Sequence, residues 1–311
     1  MSSPPTPIPT VTLGRTDMRI TRLGLGSAPL GNLYDELPDA QAQATIAAAL
    51  AVGITMFDTA PLYGAGLSER RLGLALAGLP RDSYMLSTKV GRLVQPDGRV
   101  VFDWSRDGIL RSIEASLERL GLDRVDIVLV HDPDDDERAA VDVAFPTLIE
   151  LREQGLIGAV GAGMNQWQML SRFVAQADLD CLLLAGRYTL LEQGALPLLE
   201  QCAARGVGVL LGGVFNSGIL ASGPQPGAKY NYADAPPAIL ARVAQITAIC
   251  GEHNVALPHA ALQFALSHPA VSALIVGAVT PAEVAANVAG LSAPIPAALW
   301  AELREAGLID G

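Results

Sequence analysis

Eight short runs rich in Val, Ile and Leu alternate with amphipathic stretches of helical period along this chain. This alternation is typical of repeated strand–helix units around a parallel sheet. Strands are expected at residues 23–26, 55–58, 84–89, 125–131, 157–163, 181–185, 208–212 and 273–277. Helices are expected at residues 39–51, 68–77, 105–120, 141–154, 167–177, 196–205, 237–251 with a continuation to 267, and 297–306.

The number of units favours a closed barrel over an open, doubly wound sheet, because eight units within about 250 residues is the usual content of a (β/α)8 TIM barrel. No shift in composition divides the chain, so residues 11–311 are expected to form a single domain. The stretch "TVTLGRTDMRI" has the alternation and turn of an N-terminal β-hairpin, which we expect to close the lower end of the barrel. Residues 1–10, "MSSPPTPIPT", are expected to be a disordered leader, and residues 223–237 a long connection without regular period.

The overall charge excludes strongly anionic partners. Lys and Arg total 21 against 32 Asp and Glu, a net charge of −11 that repels nucleic acid and anionic membranes.

The longest weakly polar run, residues 45–57, is shorter than the roughly 20 residues that a spanning helix needs. With no signal-peptide pattern and three cysteines without a C-x-x-C spacing, we expect a cytoplasmic monomer or homodimer with buried thiols and no metal site.

Polar residues stand at the ends of three successive predicted strands. Asp58, Lys89 and His131 end strands two, three and four, and Tyr63 follows in the loop after strand two. Each has a structural explanation when taken alone: a turn cap for Asp58, a rim position for Lys89 and His131, and packing for Tyr63. Because active sites of such barrels form where the strands meet the following loops, the four together predict a catalytic site.

The combination has a chemical use in moving a proton to or from oxygen. A phenol with a pKa near ~10 is a poor acid or base at neutral pH, and a nearby ammonium lowers that pKa. We therefore expect Lys89 to lower the pKa of Tyr63 and Asp58 to balance the lysine charge. His131 can hold the substrate oxygen by a hydrogen bond.

The segments "FDTAPLYGAGLSERRLG", "STKVG", "LERLGLDRVDIVLVHDPD" and "GAGMNQ" together resemble the aldo-keto reductase superfamily, from Val11 to about Asn287. The resemblance implies that Asp58, Tyr63, Lys89 and His131 form a catalytic tetrad with tyrosine as the general acid or base. It also implies a small-molecule sugar or aldehyde as the substrate.

Further segments, "FDWSRDGILRS", "LAGRYTLLEQ" and "GGVFNSGILASG", look most like the family branch that oxidises L-fucose, D-arabinose or L-galactose at C1 to the lactone. Pyridoxal 4-dehydrogenase, an NADPH-dependent aldehyde reductase and a non-catalytic nucleotide-binding regulatory subunit remain alternatives. Trp104 and Tyr188 are candidates for lining the substrate pocket, although either aromatic ring can equally belong to the core.

The cofactor site implied by the resemblance lies along the second half of the chain. Asn165 would hold the nicotinamide carboxamide, and the loop after strand seven would bind the pyrophosphate. The cofactor-binding candidates are Asn165, Gly212, Gly213, Val214, Phe215, Asn216, Gly218, Gly277, Thr280, Glu283 and Asn287. The pair Gly24-x-Gly26 is interpreted as a tight turn, because Pro29 occupies the place of the third glycine of a dinucleotide-binding fingerprint.

Several of these positions depart from the family pattern. Met164, Ala185 and Gly212 replace a serine, a glutamine and an aromatic residue. Glu283 stands where an arginine is usual, and a carboxylate there repels a 2′-phosphate and accepts hydrogen bonds from a 2′-hydroxyl. We therefore expect NAD to be favoured over NADP. The alternative is that Glu283 is only a solvated acid in the first turn of a helix.

Overall fold

The computed structural model describes residues 7–33, 35–95 and 97–310. Eight parallel strands close into a barrel in chain order, and the pairing of Leu23 with Leu274 joins the last strand to the first. They are β1 (Leu23–Gly26), β2 (Met56–Asp58), β3 (Met85–Val90), β4 (Ile127–His131), β5 (Ala159–Met164), β6 (Cys181–Ala185), β7 (Gly208–Gly212) and β8 (Val271–Gly277). The predicted (β/α)8 barrel is confirmed.

Helices surround the barrel. They are α1 (Asp39–Ala51), α2 (Leu67–Leu76), α3 (Arg106–Leu120), α4 (Phe145–Glu153), α5 (Trp167–Gln176), α6 (Leu196–Arg205), α7 (Pro237–Glu252), α8 (Leu257–Ala265), α9 (Pro281–Ser292) and α10 (Ala297–Glu305). Helix α3 shows how local sequence sets these bounds. The Ser105 hydroxyl caps its start by accepting a hydrogen bond from the amide of Gly108, and Gly121 ends it in the left-handed conformation at φ 65°.

Two helices differ from their predicted extents. The helix expected to continue from 237 to 267 is two helices, because Asn254 adopts φ 56° between α7 and α8 and Pro258 opens the second one. Helical structure before α4 begins at Glu137 and passes through a π-helical segment, Ala140–Ala144. Pro146 accounts for that segment, since a proline inside a helix has no N–H for the regular bond and its ring crowds the preceding turn.

The core has two parts. One lies inside the barrel and includes Met56, Ile127 and Leu129; the other fills the space between strands and helices. Leu13 and Ile20 reach the inner part from an antiparallel hairpin, Thr10–Thr12 with Arg19–Thr21. The hairpin therefore closes the amino end of the barrel, as predicted.

Some predictions outside the barrel need correction. Residues 1–6 of the predicted disordered leader lie outside the described residues, but Ile8 is buried and Thr10 pairs with Thr21, so the leader's last residues belong to the folded domain. The connection 223–237 contains a short hairpin, Lys229–Tyr230 with Ala233–Asp234.

In the described part of the chain, none of the helices is by itself long and apolar enough to span a bilayer, and α9 and α10 reach that length and apolar character only as a pair bent by 90°.

Candidate active site

The predicted tetrad residues meet at the carboxyl end of the barrel. Asp58 and His131 end β2 and β4, and Lys89 lies one residue before the end of β3. The Nζ of Lys89 is 2.7 Å from Oδ1 of Asp58 and also donates to the carbonyl oxygen of Thr59 at 2.8 Å. Ser87 donates to the other carboxylate oxygen of Asp58 at 2.6 Å. This buried ion pair is therefore fixed at both ends.

Tyr63 completes the cluster from the loop after β2. The Nζ of Lys89 lies 4.7 Å from the centre of its ring, and the ring of His131 meets it edge to face with centroids 5.9 Å apart. The backbone at Tyr63 packs directly against Gly31. A Cβ added to Gly31 would stand only 2.6 Å from the carbonyl carbon of Tyr63. A residue larger than glycine at position 31 would displace the tyrosine.

The protonation of Tyr63 differs from the expectation. Burial raises the pKa of its phenol to about 12, and the nearby ammonium of Lys89 lowers that pKa only in part. Burial lowers the pKa of the Lys89 ammonium, but the interactions with Asp58 and Tyr63 together outweigh it and raise that pKa above its usual value. At neutral pH, Tyr63 is thus a neutral phenol beside a charged lysine.

His131 is a neutral imidazole. Burial lowers the pKa of this histidine well below its usual value, and the cations Lys89 and Arg92 lower it further. Its buried Nδ1 makes no hydrogen bond to any part of the chain that the structure describes. A neutral ring beside the phenol can hold a substrate oxygen without adding charge.

Small hydroxyl side chains support the tetrad from behind, and sequence reasoning missed them. Ser27 donates to the carbonyl oxygen of Asp58 at 2.7 Å, and Ser68 donates to Ser27 at 2.6 Å. The hydroxyl of Thr59 lies 3.1 Å from that of Ser68. A signal was present for two of them, because Ser27 and Thr59 directly follow the first two predicted strands in "GLGS" and "FDT".

An ion pair beside His131 was also missed. Nη2 of Arg92 donates to Oδ2 of Asp132 at 2.8 Å, and that oxygen lies 3.6 Å from Nε2 of His131. The guanidinium lies over the ring of Phe102, 4.9 Å from its centre. The only sequence signal was the aspartate that directly follows His131.

The two predicted substrate residues occupy different surroundings. Trp104 is buried against Gly91, just past the end of β3 and close to Lys89 in the chain, so it lies at the barrel mouth. Tyr188 stacks on Phe264 of α8 and has its hydroxyl 3.3 Å from that of Ser267, which precedes β8. The structure therefore does not bring Tyr188 to the tetrad.

The predicted cofactor residues after β5 and β7 form a second group at the mouth. Nδ2 of Asn165 donates to the carbonyl oxygen of Ala185 at 3.1 Å. In the loop after β7, where Gly212 ends the strand and Val214 and Phe215 follow, four residues take positive φ: Gly213 (62°), Asn216 (45°), Ser217 (59°) and Gly218 (95°). Asn216 is buried, its side-chain oxygen accepts from Thr189 at 2.6 Å and its amide donates to the carbonyl oxygen of Gly213 at 2.9 Å, so this residue holds the shape of the loop.

The remaining cofactor candidates lie around the start of α9. Thr280 caps this helix by accepting from the amide of Glu283 at 3.2 Å, and Oε2 of Glu283 accepts from the amide of Val279 at 2.8 Å. The alternative interpretation of Glu283 as a first-turn acid thus has a structural basis, although its side chain is exposed. Gly277 is exposed at the end of β8, and Asn287 is half-buried on α9.

Within residues 7–33, 35–95 and 97–310, no group of three or more His, Cys, Asp and Glu side chains is placed to hold a metal ion. All three cysteines are free and buried.

Comparison with known proteins gives matches along nearly the whole chain. The sequence pattern described as the Aldo/keto reductase family matches residues 22–307. D-threo-aldose 1-dehydrogenase of Pseudomonas sp is 43% identical over 94% of this chain and 95% of its own length. Pyridoxal 4-dehydrogenase of Microbacterium luteolum is 40% identical over 96% and 97% of the two chains. The solved holo form of an aldo-keto reductase from Bacillus halodurans superimposes with a TM-score of 0.82 at 25% identity, covering 97% of each chain.

Proposed function

The chain belongs to the aldo/keto reductase family of oxidoreductases, and from that premise we propose that it oxidises a free aldose at C1 to the lactone, with NAD as the hydride acceptor. The substrate type is that of L-fucose, D-arabinose and L-galactose. The observation that carries the proposal is the 43% identity, over 94% of the chain, to a D-threo-aldose 1-dehydrogenase.

The tetrad suits this chemistry because an aldose in water is mostly a cyclic hemiacetal, which presents a hydroxyl and a hydrogen at C1. Tyr63 in its phenolate form takes the hydroxyl proton as general base and becomes a phenol, and the charged Lys89 stabilises the phenolate before this transfer. His131 holds the same oxygen by a hydrogen bond. A bound nicotinamide dinucleotide supplies the hydride acceptor.

The residues at the mouth fit such a dinucleotide. The hydrogen bond from Asn165 to Ala185 orients the side-chain amide, whose oxygen would accept from the carboxamide of the cofactor. Successive positive φ angles at Asn216, Ser217 and Gly218 make a compact backbone turn, in which the amides of Asn216 and Gly218 donate to carbonyl oxygens of the same loop. Amides of such a turn that have no partner within it can face phosphate oxygens. We therefore propose that Asn165 and the loop 213–218 hold the nicotinamide and pyrophosphate.

Cofactor preference gives a prediction for Glu283. We expect kcat/KM to be higher with NAD than with NADP by about 10-fold or more, because the exposed carboxylate repels a 2′-phosphate. Glu283→Arg should narrow or reverse this preference. Glu283→Gln is the matched control, since it removes the charge but keeps an oxygen that can accept from the amide of Val279. If the unchanged protein prefers NADP, the inference from Glu283 is wrong.

The function is tested with a panel of free aldoses and pyridoxal, each with NAD and with NADP, followed by NADH or NADPH absorbance. We expect L-fucose or a sugar of the same ring stereochemistry to react fastest and NMR to show the lactone as the first product. The methyl glycoside of that sugar should not react, because no ionisable hydroxyl remains at C1. Turnover of the glycoside at a comparable rate would show oxidation at another carbon and exclude the proposal.

The second candidate is pyridoxal 4-dehydrogenase, favoured by the 40% identity to that enzyme over 96% of the chain. Faster reaction of pyridoxal than of every aldose in the same panel would select it. An NADPH-dependent aldehyde reductase would instead show its highest activity with aldehydes and NADPH. A regulatory subunit would bind NADH and leave it unoxidised with every carbonyl compound.

A further inference from the structure

Asp132 is held in an unusual backbone conformation next to the tetrad. Its φ is 43°, a left-handed value that is uncommon for residues other than glycine. Its amide donates to the carbonyl oxygen of Gly163 at 3.1 Å, which turns the chain back over the mouth directly after His131. The carboxylate is neither fully buried nor free in solvent, since 24% of the side chain is exposed. It is thus placed at the open side of the site.

The orientation of this carboxylate is fixed by Arg92. The guanidinium donates to Oδ2 of Asp132 at 2.8 Å and rests on the ring of Phe102. The buried Nε of Arg92 has no hydrogen-bond partner among the residues that the structure describes. A buried donor left unpaired costs free energy, so a ligand oxygen that reaches it would be bound favourably.

In a cyclic aldose, two ring atoms are bonded to C1. One is the ring oxygen, which can only accept a hydrogen bond, and the other is C2, which carries a hydroxyl. An ionised carboxylate also only accepts, so the C2 hydroxyl is the one neighbouring group that it can bind. A guanidinium only donates, and it can serve the oxygen of a sugar hydroxyl at the same time.

Resting on the proposed aldose oxidation, we propose that Asp132, positioned by Arg92, accepts a hydrogen bond from the C2 hydroxyl of the sugar. The oxygen of Asp132 that faces Arg92 is 3.6 Å from Nε2 of His131. A substrate whose C1 oxygen is held by His131 therefore carries its C2 hydroxyl within reach of the carboxylate. This contact orients the ring and makes Asp132 a specificity-determining residue.

The proposal separates the two candidate substrates. In the cyclic form of pyridoxal, the carbon next to the reacting carbon belongs to an aromatic ring and has no hydroxyl. Asp132 gives no such contact to that molecule. An aldose that lacks only the C2 hydroxyl should likewise lose it.

The test compares kcat/KM for L-fucose and 2-deoxy-L-fucose with NAD. In the unchanged protein we expect L-fucose to be favoured by about 10- to 100-fold, the usual value of a hydrogen bond to a charged group. In Asp132→Gly this ratio should fall to near one, and glycine accepts the left-handed backbone without strain. Asp132→Asn, which also tolerates that backbone, should give an intermediate ratio.

The matched control is Asp97→Gly, which removes a carboxylate from the exposed ion pair with Arg99. This pair lies between the two strands of the hairpin that also carries Arg92, Arg92–Val94 with Val100–Phe102. It should keep the sugar ratio of the unchanged protein. A ratio in Asp132→Gly equal to that of the unchanged protein would overturn the role of Asp132 while leaving aldose oxidation intact. Absence of turnover with every aldose in the unchanged protein would instead overturn the proposed function, and this inference with it.

Discussion

Replacement of Tyr63 by phenylalanine is expected to lower kcat for aldose oxidation by a factor of at least ~10², the usual contribution of a general acid or base. The change removes only the hydroxyl, so the ring can keep its contacts with Lys89 at 4.7 Å and His131 at 5.9 Å. Binding of NAD, followed by protein fluorescence, should therefore be nearly unchanged. Turnover close to that of the unchanged protein would remove Tyr63 from the mechanism.

The pH dependence provides a second measurement of the same role. In the proposed mechanism the base is the phenolate of Tyr63, and burial raises the pKa of this residue to about 12, so the reactive fraction grows as the pH rises toward that value. We expect kcat/KM for oxidation to increase from neutral pH to about pH 10 without reaching a plateau. The increase should be lost in Tyr63→Phe, whose residual activity has no phenol to ionise. A profile that is flat in the unchanged protein would contradict this assignment.

Lys89→Met is expected to lower kcat by a similar factor of about 10² and also to destabilise the fold. The reason is that Asp58 is 2% exposed and would lose the cation 2.7 Å away. Removing one partner of a buried ion pair costs about 3–5 kcal/mol of unfolding free energy. Denaturant unfolding and steady-state kinetics on the same preparation measure both effects.

Two further variants separate the loss of stability from the loss of activity. In the double variant Asp58→Asn with Lys89→Met no unpaired charge remains, so we expect much of the stability to return while turnover stays low. Arg119→Met leaves the fully buried Glu69 without the cation that donates to it at 2.5 Å. This control should lose stability and keep its turnover when assayed below its unfolding temperature. If it loses as much turnover as Lys89→Met, the effect of lysine on catalysis is only structural.

The barrel could be predicted because its determinants are local and repeated. Each strand is a short apolar run and each helix is a longer stretch with one apolar face, so run length and period together distinguish the two. The clustering of Asp58, Lys89 and His131 followed from topology, since parallel strands in a closed barrel bring their carboxyl ends together. Tyr63 is the exception in this set, because strand topology does not place a loop residue, and its role was inferred from the chemistry of a phenol beside a lysine.

The features that could not be predicted depend on packing between distant segments. The sign of the pKa shift of Tyr63 is one example, because burial outweighs the lysine and no sequence pattern gives the degree of burial. The left-handed backbone at Asp132 is another, since the hydrogen bond to Gly163 comes from the next strand. The end of the helix at residue 252 was missed because an asparagine is a weaker stop signal than glycine or proline.

The close approach of Gly31 to Tyr63 restricts how this enzyme can evolve. A hydrogen atom is the largest side chain that fits at position 31, because a Cβ would stand 2.6 Å from the carbonyl carbon of the tyrosine. Every single-nucleotide change that replaces a glycine codon by that of another amino acid adds a Cβ. No single amino-acid substitution at position 31, in the loop after β1, therefore leaves the phenol in place. Selection for activity would therefore keep glycine at this position while the exposed residues around it vary.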